Sequence, residues 1–428
     1  MKTTLYVLFV LFSFCALTCR KNNPVTPPDT TFALTEDDVN CTEAYLELKL
    51  GTGITSRSVT FKRDTTTLFT KIINVTDTVL ADTGLIPNHT FTYATILGGE
   101  TQQCTVTTLD TTSSNFTWQT FTLGGAASSA LFDVAIINDT LAYAVGEIYI
   151  NDSTGQVDPQ PYNLAIWNGN SWRIQKVPYY YQGQSFYGPI YTLWAFNSND
   201  IWFGIGNMIH WDGNNFNAVD ISSAWGPYRI NKIWGMSSSD FYIVGDSGSI
   251  AHYNGNSWTK IESGTTLDVR DIWGAQNTNT SAWEIFATAG NPYITPDREI
   301  IQISGTTVQA ILAQGIVGGP NGIWFSPEQY YWAVGEGTWE KHPTLADAIW
   351  HSQTLTSYTI GAVRGNGIND VFMCGAYGEV LHFNGDSWKS YQSQTGIVGA
   401  YSGLAVRGNT VIAVGVESVQ AVVLIGKR

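Results

Sequence analysis

The stretch Ile230–Ile261 reads INKIWGMSSSDFYIVGDSGSIAHYNGNSWTKI and contains four short apolar runs separated by turn residues. The last break is Asn254-Gly255. Asn-Gly between two alternating runs predicts a β-hairpin, because both residues tolerate the positive φ of a type I′ turn. Four antiparallel strands of this length form one small twisted sheet, which needs similar neighbours to bury its faces. The stretch therefore predicts one unit of a repeated β structure.

The same pattern recurs from about residue 115 onward, at a spacing of roughly forty residues, which is the range of propeller repeats. Second strands often end in an apolar residue followed by glycine, as at Val244-Gly245 and Cys374-Gly375. Several fourth strands open with Ser-Trp, as at Ser257-Trp258. The predicted inner strands number seven: Leu131–Ile136, Tyr191–Phe196, Ile230–Met236, Val269–Ala275, Gly322–Ser326, Ile360–Gly365 and Gly403–Gly408.

The two ends of the repeat region complement each other. The last repeat reaches only a third strand, Ala421–Ile425, whereas Asn115–Phe121 fits a fourth strand that no first three precede. These observations predict an all-β chain whose residues 112–428 form a seven-bladed β-propeller closed by strand 115–121. The repeat resembles secreted bacterial propellers of the BNR and photosystem II assembly-factor-like types. That resemblance implies the fold and says little about activity.

Residues 32–111 contain short alternating runs with threonine-rich edges, which predict a small immunoglobulin-like sandwich. The segment Asp82–Tyr93 resembles the fibronectin type III signature before its sixth strand, with Phe91 where that family usually has tyrosine. Cys41 and Cys104 lie in this region and could form a disulfide in an oxidising compartment. Cys374 lies in an apolar run and is interpreted as a small buried hydrophobe.

Residues 1–18 combine a positive start with an apolar segment too short to span a bilayer, which indicates a signal peptide. Ala16–Cys19 resembles a bacterial lipobox, so Cys19 is the predicted lipid anchor, and residues 19–31 form a proline-rich tether. The alternative is an ordinary signal peptide without lipid. We therefore expect an exported protein of the bacterial cell envelope, an outer-membrane or surface lipoprotein, that is monomeric.

Composition excludes one class of partner. The 428 residues carry a formal net charge of −14, without a visible cluster of lysine and arginine. Binding to a phosphate backbone requires such a cluster, so nucleic acid is not an expected partner.

Several polar patterns suggest chemistry but have structural explanations. His210, His252 and His382 precede the Asp-Gly or Asn-Gly turn at one fixed offset, so they lie in different repeats and cannot meet at one metal. Asp152 and Asp158 offer oxygen ligands around a glycine, but a complete Ca²⁺ loop is missing, so we expect no cofactor and only a weak Ca²⁺ candidate. The Gly-Asn-Ser-Trp turns resemble the Asp-box of sialidases, which is a folding motif and implies no hydrolysis.

The loops that depart from the repeat are rich in aromatic residues. Loops of this kind lie above a rigid scaffold, and their rings suit stacking on sugars or anchoring a protein. The alternative is that the rings pack on one another as a satellite core. The predicted ligand-binding residues are Tyr179, Tyr180, Tyr181, Phe186, Tyr187, Trp225, Tyr228, Tyr293, Arg298 and Trp339.

These features predict a non-catalytic protein of the cell envelope or surface that recognises a glycan or a protein through the aromatic loops. No catalytic or metal-binding residue is assigned. Two alternatives remain open: a glycoside hydrolase or lyase acting on a polysaccharide at the same face, and a structural envelope assembly factor. Paired carboxylates in a pocket would identify the enzyme.

Overall fold

The computed structural model describes residues 32–51, 57–181, 184–290, 297–311, 313–342 and 349–428. The chain is all-β, with one short helix in this described part. Among these residues, no helix has the length and apolar character needed to span a bilayer. The predicted signal peptide, Cys19 and the predicted tether lie outside the described residues.

The N-terminal strands form a two-layer sandwich. A three-stranded sheet, in the order β1-β2-β5, packs on a four-stranded sheet in the order β4-β3-β6-β7. Alternating apolar side chains such as Leu46, Phe61 and Tyr93 point into the shared core. The strands are β1 (Phe32–Val39), β2 (Glu43–Leu50), β3 (Arg57–Arg63), β4 (Thr66–Ile73), β5 (Asp77–Thr83), β6 (Thr90–Leu97) and β7 (Glu100–Thr107).

The predicted disulfide between Cys41 and Cys104 is not formed, and both residues are free thiols. Cys41 lies in the turn after β1, where its Sγ contacts the carbonyl of Asp110 at 3.2 Å. Cys104 lies on β7, beside the carboxylate of Glu36. Burial raises the pKa of both thiols to about 11. The two cysteines therefore occupy different parts of the sandwich, which a sequence separation does not reveal.

The rest of the described chain forms seven four-stranded antiparallel sheets, numbered here one to seven. Each runs first to fourth strand in chain order, except that β8 is the fourth strand of sheet seven. The region begins with β8 (Thr117–Leu123), which belongs to sheet seven, and sheet one follows with β9 (Ala130–Asn138), β10 (Leu141–Ile148), β11 (Tyr162–Trp167) and β12 (Trp172–Gln175). A separate hairpin, β13 (Tyr179–Tyr181) and β14 (Gln184–Phe186), precedes sheet two, which contains β15 (Thr192–Asn197), β16 (Asp200–Gly204), β17 (Met208–Trp211) and β18 (Phe216–Val219). Sheet three contains β19 (Ile230–Ser237), β20 (Asp240–Gly245), β21 (Ser249–Tyr253) and β22 (Trp258–Glu262).

Sheets four to seven continue the same order around the ring. Sheet four contains β23 (Val269–Gln276), β24 (Trp283–Gly290), β25 (Arg298–Ser304) and β26 (Thr307–Ile311), and sheet five contains β27 (Pro320–Ser326), β28 (Tyr330–Gly335), β29 (Thr338–Lys341) and β30 (His351–Gln353). Sheet six contains β31 (Ile360–Gly367), β32 (Asp370–Gly375), β33 (Val380–Phe383) and β34 (Trp388–Ser390), and α1 (Gln392–Thr395) follows it. Sheet seven contains β35 (Ala400–Arg407), β36 (Thr410–Glu417) and β37 (Gln420–Lys427) together with β8.

First strands of consecutive sheets contact each other from β9 through β35, and β35 contacts β9 again. The sheets therefore form a closed ring around one axis, which is the arrangement of a β-propeller. Sheet seven combines both ends of this region, because β8 pairs antiparallel with β37 along its length, for example Phe121 with Val423.

Inner-strand tryptophans pack on glycines of the following sheet. A Cβ placed on Gly274 of β23 would lie 2.4 Å from the Trp234 ring of the preceding sheet. A Cβ on Gly365 of β31 would lie 2.9 Å from the Trp324 ring. Each ring thus packs directly on the backbone of the next sheet, where only glycine leaves enough space.

The Asn-Gly turn differs from the type I′ prediction. Tyr253 pairs with Trp258, so the connection contains four residues. Among Asn254 and Gly255, only the glycine has a positive φ, of 90°. The Asn254 side chain instead accepts N–H bonds from Asn256 and Ser257, at 3.0 and 2.9 Å. This side-chain cap stabilises the turn with asparagine in an ordinary conformation.

Candidate binding face

The ring has two faces with different loops. Loops that lead from a fourth strand to the next first strand share one face with loops that join second to third strands, here called the upper face. Backbone hydrogen bonds connect the two kinds of loop, as from Asp246 N to Arg229 O (3.2 Å) and from Gly378 N to Gly399 O (2.9 Å). The lower face carries the turns between first and second and between third and fourth strands.

The sandwich lies against the lower face. Gln329, in the lower turn of sheet five, donates to Asp38 at 2.9 Å, and the Tyr330 hydroxyl donates to Glu43. The His342 ring stacks on Tyr45 with centroids 4.1 Å apart. These contacts place the described part of the sandwich on the lower face, around sheet five.

A β-bulge marks the upper end of the inner strands. The pairing skips one residue at the same position in six described inner strands: Phe132, Asn231, Arg270, Asn321, Gly361 and Ser402. The glycine that ends the second strand lies opposite this bulge. A Cβ on Gly245 would lie 2.1 Å from Arg229 O, and one on Gly375 2.3 Å from Thr359 O. The apolar-Gly signature therefore reports a steric requirement of the bulge.

Side chains at the bulge link neighbouring sheets. Asn231 Nδ2 donates to Val269 O at 3.0 Å, and Ser402 Oγ donates to Leu131 O at 3.0 Å, in each case on the next sheet around the ring. These repeated contacts join neighbouring sheets around the upper end of the axis, and they do not gather polar side chains at one site. The sequence did not predict these residues, because the apolar alternation of a strand does not show where its pairing skips a residue.

Buried ion pairs cross the axis between sheets that are not neighbours. Asp271 of sheet four binds the Arg364 guanidinium of sheet six through two bonds, at 2.7 and 2.9 Å, and also accepts Ile323 N–H of sheet five at 3.0 Å. Asp133 of sheet one binds Lys232 of sheet three at 2.6 Å. These carboxylates are satisfied by cations and resemble structural clamps more than an acid–base pair.

Carboxylic acids with a raised pKa lie away from the upper face in the described residues. Among the described residues, the carboxyl groups whose pKa is raised are Glu36 and Glu340, with burial as the main cause in both. Glu36 lies in the sandwich, and Glu340 lies on β29 near the contact with Glu43. Neither of these two carboxyl groups lies in the described upper loops, where the hydrolase or lyase alternative would place its acid.

The predicted Tyr179–Tyr187 segment forms a hairpin that is fixed at its base. Asn163, which is fully buried, donates to the carbonyls of Val177 and Gly188 at 2.9 Å each. The Tyr179 ring stacks on Phe186 at 5.8 Å. Tyr180 and Tyr181 belong to β13, and their side chains lie outside the described part of the structure.

The rings of this hairpin differ in exposure. Phe186 is 38% exposed, whereas Tyr179 packs partly on the core between sheets one and two. Tyr187 is half-buried, and the Lys176 ammonium lies 5.7 Å from its ring centre. Among the rings of this group that the structure describes, Phe186 is thus the most exposed.

Trp225 and Trp339 are core residues in the structure. Trp225 is 6% exposed, its ring packs beside Gly245, and its Nε1 donates to Tyr228 O at 2.9 Å. Trp339 is fully buried on the third strand β29 and not in an upper loop. Their prediction as ligand contacts is corrected here, because a buried ring cannot stack on a ligand. Tyr228, in contrast, is 39% exposed.

The remaining predicted residues lie near sheet four. Tyr293 lies outside the described residues. Arg298 begins β25 and lines an open cavity of about 790 Å³ together with Asp297 and the 264–267 loop. The cavity is polar and lies on the upper face, so Arg298 is placed where a ligand could reach it.

Exposed apolar side chains are concentrated on the upper face. From residue 117 onward, the described residues include eight large apolar side chains that are exposed, and only Trp283 belongs to the lower face. The other seven lie in upper loops or the hairpin: Val157, Phe186, Tyr228, Val317, Tyr377, Val398 and Val419. Such a one-sided distribution is typical of an interaction surface.

The repeated histidines are bound within their own sheets. Each Nε2 lies 2.7–2.9 Å from the aspartate that starts the second strand, and each ring stacks on an aromatic residue of that strand. The pairs are His210 with Asp200, His252 with Asp240 and His382 with Asp370. Within the described residues, no three His, Cys, Asp or Glu side chains form a group that could hold a metal.

The weak Ca²⁺ candidate does not fit its surroundings. Asp158 Oδ2 lies 2.6 Å from Lys176 Nζ, and this bond lowers the pKa of Asp158. Asp152 Oδ1 accepts the hydroxyl and N–H of Thr154, which lowers the pKa of Asp152. A lysine already neutralises one carboxylate and the loop backbone caps the other, so a divalent cation would have to displace both.

Comparison with known proteins supports the fold. No family model matches the chain, and no curated protein matches it. Among solved structures, YCF48 bound to a D1 peptide has a TM-score of 0.53 at 13% identity, over 73% of this chain and 95% of that chain. The WD40 β-propeller domain of Doa1 has a TM-score of 0.52 at 12% identity, over 73% and 98%. The chain therefore contains a β-propeller.

Proposed function

We propose that this protein is a non-catalytic binding protein that recognises a protein or glycan partner through the upper face of its propeller. The observation that carries this proposal is that, among the described residues from 117 onward, seven large exposed apolar side chains lie on that face and one lies on the other. Burial of such side chains is the main favourable term in association. The analogy with YCF48, which was solved bound to a D1 peptide, favours a protein partner.

The proposal includes the architecture that presents this face. Seven described sheets in a closed ring support a seven-bladed propeller over residues 112–428. The three-plus-four arrangement of β1–β7 supports a fibronectin type III-like domain over residues 32–111. In this arrangement the sandwich braces the lower face, and the upper face is left for the partner.

The test compares matched substitutions on the two faces. The full chain would be screened against a glycan array and against envelope proteins, as wild type, as Phe186→Ser/Tyr228→Ser and as Trp283→Ser. Phe186 and Tyr228 are exposed on the upper face, and Trp283 is exposed on the lower face at 43%. We expect the upper double variant to lose about tenfold in affinity, a typical loss for an anchor residue.

The Trp283→Ser variant is the control for a general change in surface polarity, and it should retain wild-type binding. Equal binding by all three proteins, or loss in Trp283→Ser alone, would contradict the use of the upper face. A glycan that is released as a shorter product during the screen would instead favour the hydrolase alternative.

We further propose export and lipid anchoring at Cys19, which would hold the propeller at the cell envelope. Met1-Lys2, the apolar segment and Ala16–Cys19 support this proposal. Mass spectrometry of the mature chain from its native host is the test. A mature chain that begins at Arg20 or later without lipid would refute the anchor.

A further inference from the structure

One sector of the upper face combines exposed apolar side chains with acidic charge. The upper loops and strand ends of sheets five to seven present Val317 (76% exposed), Tyr377 (56%), Val398 (72%) and Val419 (50%). The connections 312–319, 336–337, 354–359, 376–379, 391–399, 418–419 and 124–129 contain no lysine or arginine. The acidic residues of this sector are Glu336, which is exposed, Glu417, which is half-buried, and Glu379, which is buried and accepts the hydroxyls of Thr356 and Ser390.

The other half of the upper face is different, because cations there are already paired. Lys176 lies 2.6 Å from Asp158, Arg229 lies 3.6 Å from Asp246, and Arg270 lies 3.9 Å from Asp268. Arg298 lines the cavity at the edge of this sector, together with Ala313 and Gln314. Beyond that edge, the connections of sheets five to seven carry carboxylates and no cation of their own. An acidic, apolar surface is complementary to a cationic, apolar ligand.

The turn at Tyr377 presents an aromatic ring in an unusual backbone conformation. Tyr377 has φ +56°, a region that an aromatic residue rarely adopts. The matching turn of sheet three, Asp246-Ser247-Gly248, places Ser247 at φ +54°. Both following glycines are required, because a Cβ on Gly378 would lie 2.1 Å from Ile397 O and one on Gly248 2.0 Å from Thr265 O. The turn fold thus needs no tyrosine, and strain at such a position suggests a function for the side chain.

Neighbouring groups hold this ring in place. Tyr358 packs on Tyr377 with ring centroids 4.8 Å apart. Gln392 Nε2 donates to Tyr377 O at 2.9 Å, and Glu417 Oε1 accepts Val398 N–H at 2.9 Å. The sector is therefore pre-organised, which lowers the entropic cost of binding.

We infer that the sector around Tyr377, Val398, Val419 and Val317 binds a cationic, apolar segment of a partner protein. This inference rests on the proposed function and names the partner class for the same face. Three of the four exposed side chains are valines, which fit aliphatic and aromatic protein side chains but offer no flat face to a sugar ring. Lysine or arginine of the segment would lie near Glu336 and Glu417, and Glu336 is exposed.

The test uses defined probes and the full chain. Two short fluorescent peptides share one pattern of leucine and phenylalanine, with lysine in one and glutamate in the other at every polar position. Fluorescence anisotropy measures their Kd, and cellohexaose and chitohexaose serve as sugar probes. We expect the lysine peptide alone to bind, and more weakly as salt rises, because exposed charges are screened.

Substitutions then locate the site. Tyr377→Ser copies the residue of the sheet-three turn, so the fold should be kept, and circular dichroism with a melting curve checks this. We expect Tyr377→Ser and Val398→Ser each to weaken binding of the lysine peptide by about tenfold. Phe186→Ser, on the opposite half of the face, should leave binding of this short peptide within about twofold, because the peptide covers the Tyr377 sector alone, whereas the complete partner in the upper-face screen spans both halves.

Each other result overturns the inference. Binding of the glutamate peptide or of a sugar that depends on Tyr377 would assign the wrong partner class. Loss of the lysine peptide in Phe186→Ser but not in Tyr377→Ser would move the site and leave the upper-face function standing. No binding of the lysine peptide at about millimolar concentration would refute the cationic partner, whereas the upper-face proposal is decided separately by the Phe186→Ser/Tyr228→Ser screen.

Discussion

The ion pair between Asp271 and Arg364 offers a sharp test of how the axis of the ring is filled. The guanidinium makes two bonds to the carboxylate, at 2.7 and 2.9 Å, and lies over the Trp273 ring at 5.1 Å. Asp271 is 4% exposed and Arg364 is 7% exposed. Arg364→Met removes the cation at nearly constant volume and leaves the carboxylate with the Ile323 N–H as a remaining donor.

We expect Arg364→Met to destabilise the propeller by about 3–5 kcal/mol, the usual cost of leaving one buried charge unpaired. A pair about 4 Å apart at an effective dielectric constant near 20 interacts by about 4 kcal/mol, which agrees with that range. The double variant Asp271→Leu/Arg364→Met removes both charges and should recover most of the loss, because apolar replacement of a buried pair is often neutral or stabilising.

Guanidinium unfolding, followed by tryptophan fluorescence and circular dichroism, measures these changes. Separate transitions for the sandwich and the ring must be fitted individually, because a single two-state analysis would not apply. A loss below about 1 kcal/mol for Arg364→Met is the value for a solvated surface pair. That result, or a double variant no better than the single one, would mean that water solvates the two charges and would refute the burial of this ion pair at the axis.

Three further predictions follow from burial and packing. Trp225→Ala should cost about 3–5 kcal/mol, because the ring is in the core, whereas Tyr228→Ser should cost less than about 1 kcal/mol; the reverse order in chemical denaturation would contradict the placement of Trp225. Gly375→Ala should cost about 1–3 kcal/mol, because its Cβ would lie 2.3 Å from a backbone oxygen at the bulge, and Gly367→Ala, whose nearest neighbour is at 3.4 Å, is the control in the same sheet. Burial, and then the neighbouring carboxylate of Glu43, raises the pKa of Glu340. The Glu340 carboxyl group therefore keeps its proton to a higher pH in the folded protein than in the unfolded chain. The free energy of unfolding should consequently fall as pH rises from about 4.5 through the folded pKa. Glu340→Gln should flatten this decline in unfolding curves between pH 4.5 and 7, and an unchanged slope would exclude Glu340 as its source.

The alternation of apolar residues and the spacing of Trp, Val-Gly and Ser-Trp were enough to predict an all-β propeller, because these signals are local. Period-two alternation defines a strand, and the glycine of Val244-Gly245 marks a place where a Cβ would collide with the carbonyl oxygen of Arg229, just before the first strand of the same sheet. The turn type at Asn254-Gly255 was predicted wrongly, since the Asn254 side-chain oxygen can accept the turn N–H groups in place of a backbone carbonyl, without any change in the sequence signal.

The candidate binding face was only partly predicted from the sequence. Aromatic loops were recognised, but Trp225 and Trp339 turned out to be core residues, because their neighbours come from distant parts of the chain. The sequence did not single out Tyr377 as a candidate. A single tyrosine in a short turn draws attention only when its exposure and its positive φ are known. The sequence by itself determined which residues form strands, because strand periodicity depends on neighbours in the chain. Which aromatic side chains are available to a partner was decided by the tertiary structure, because exposure depends on contacts between residues far apart in the chain.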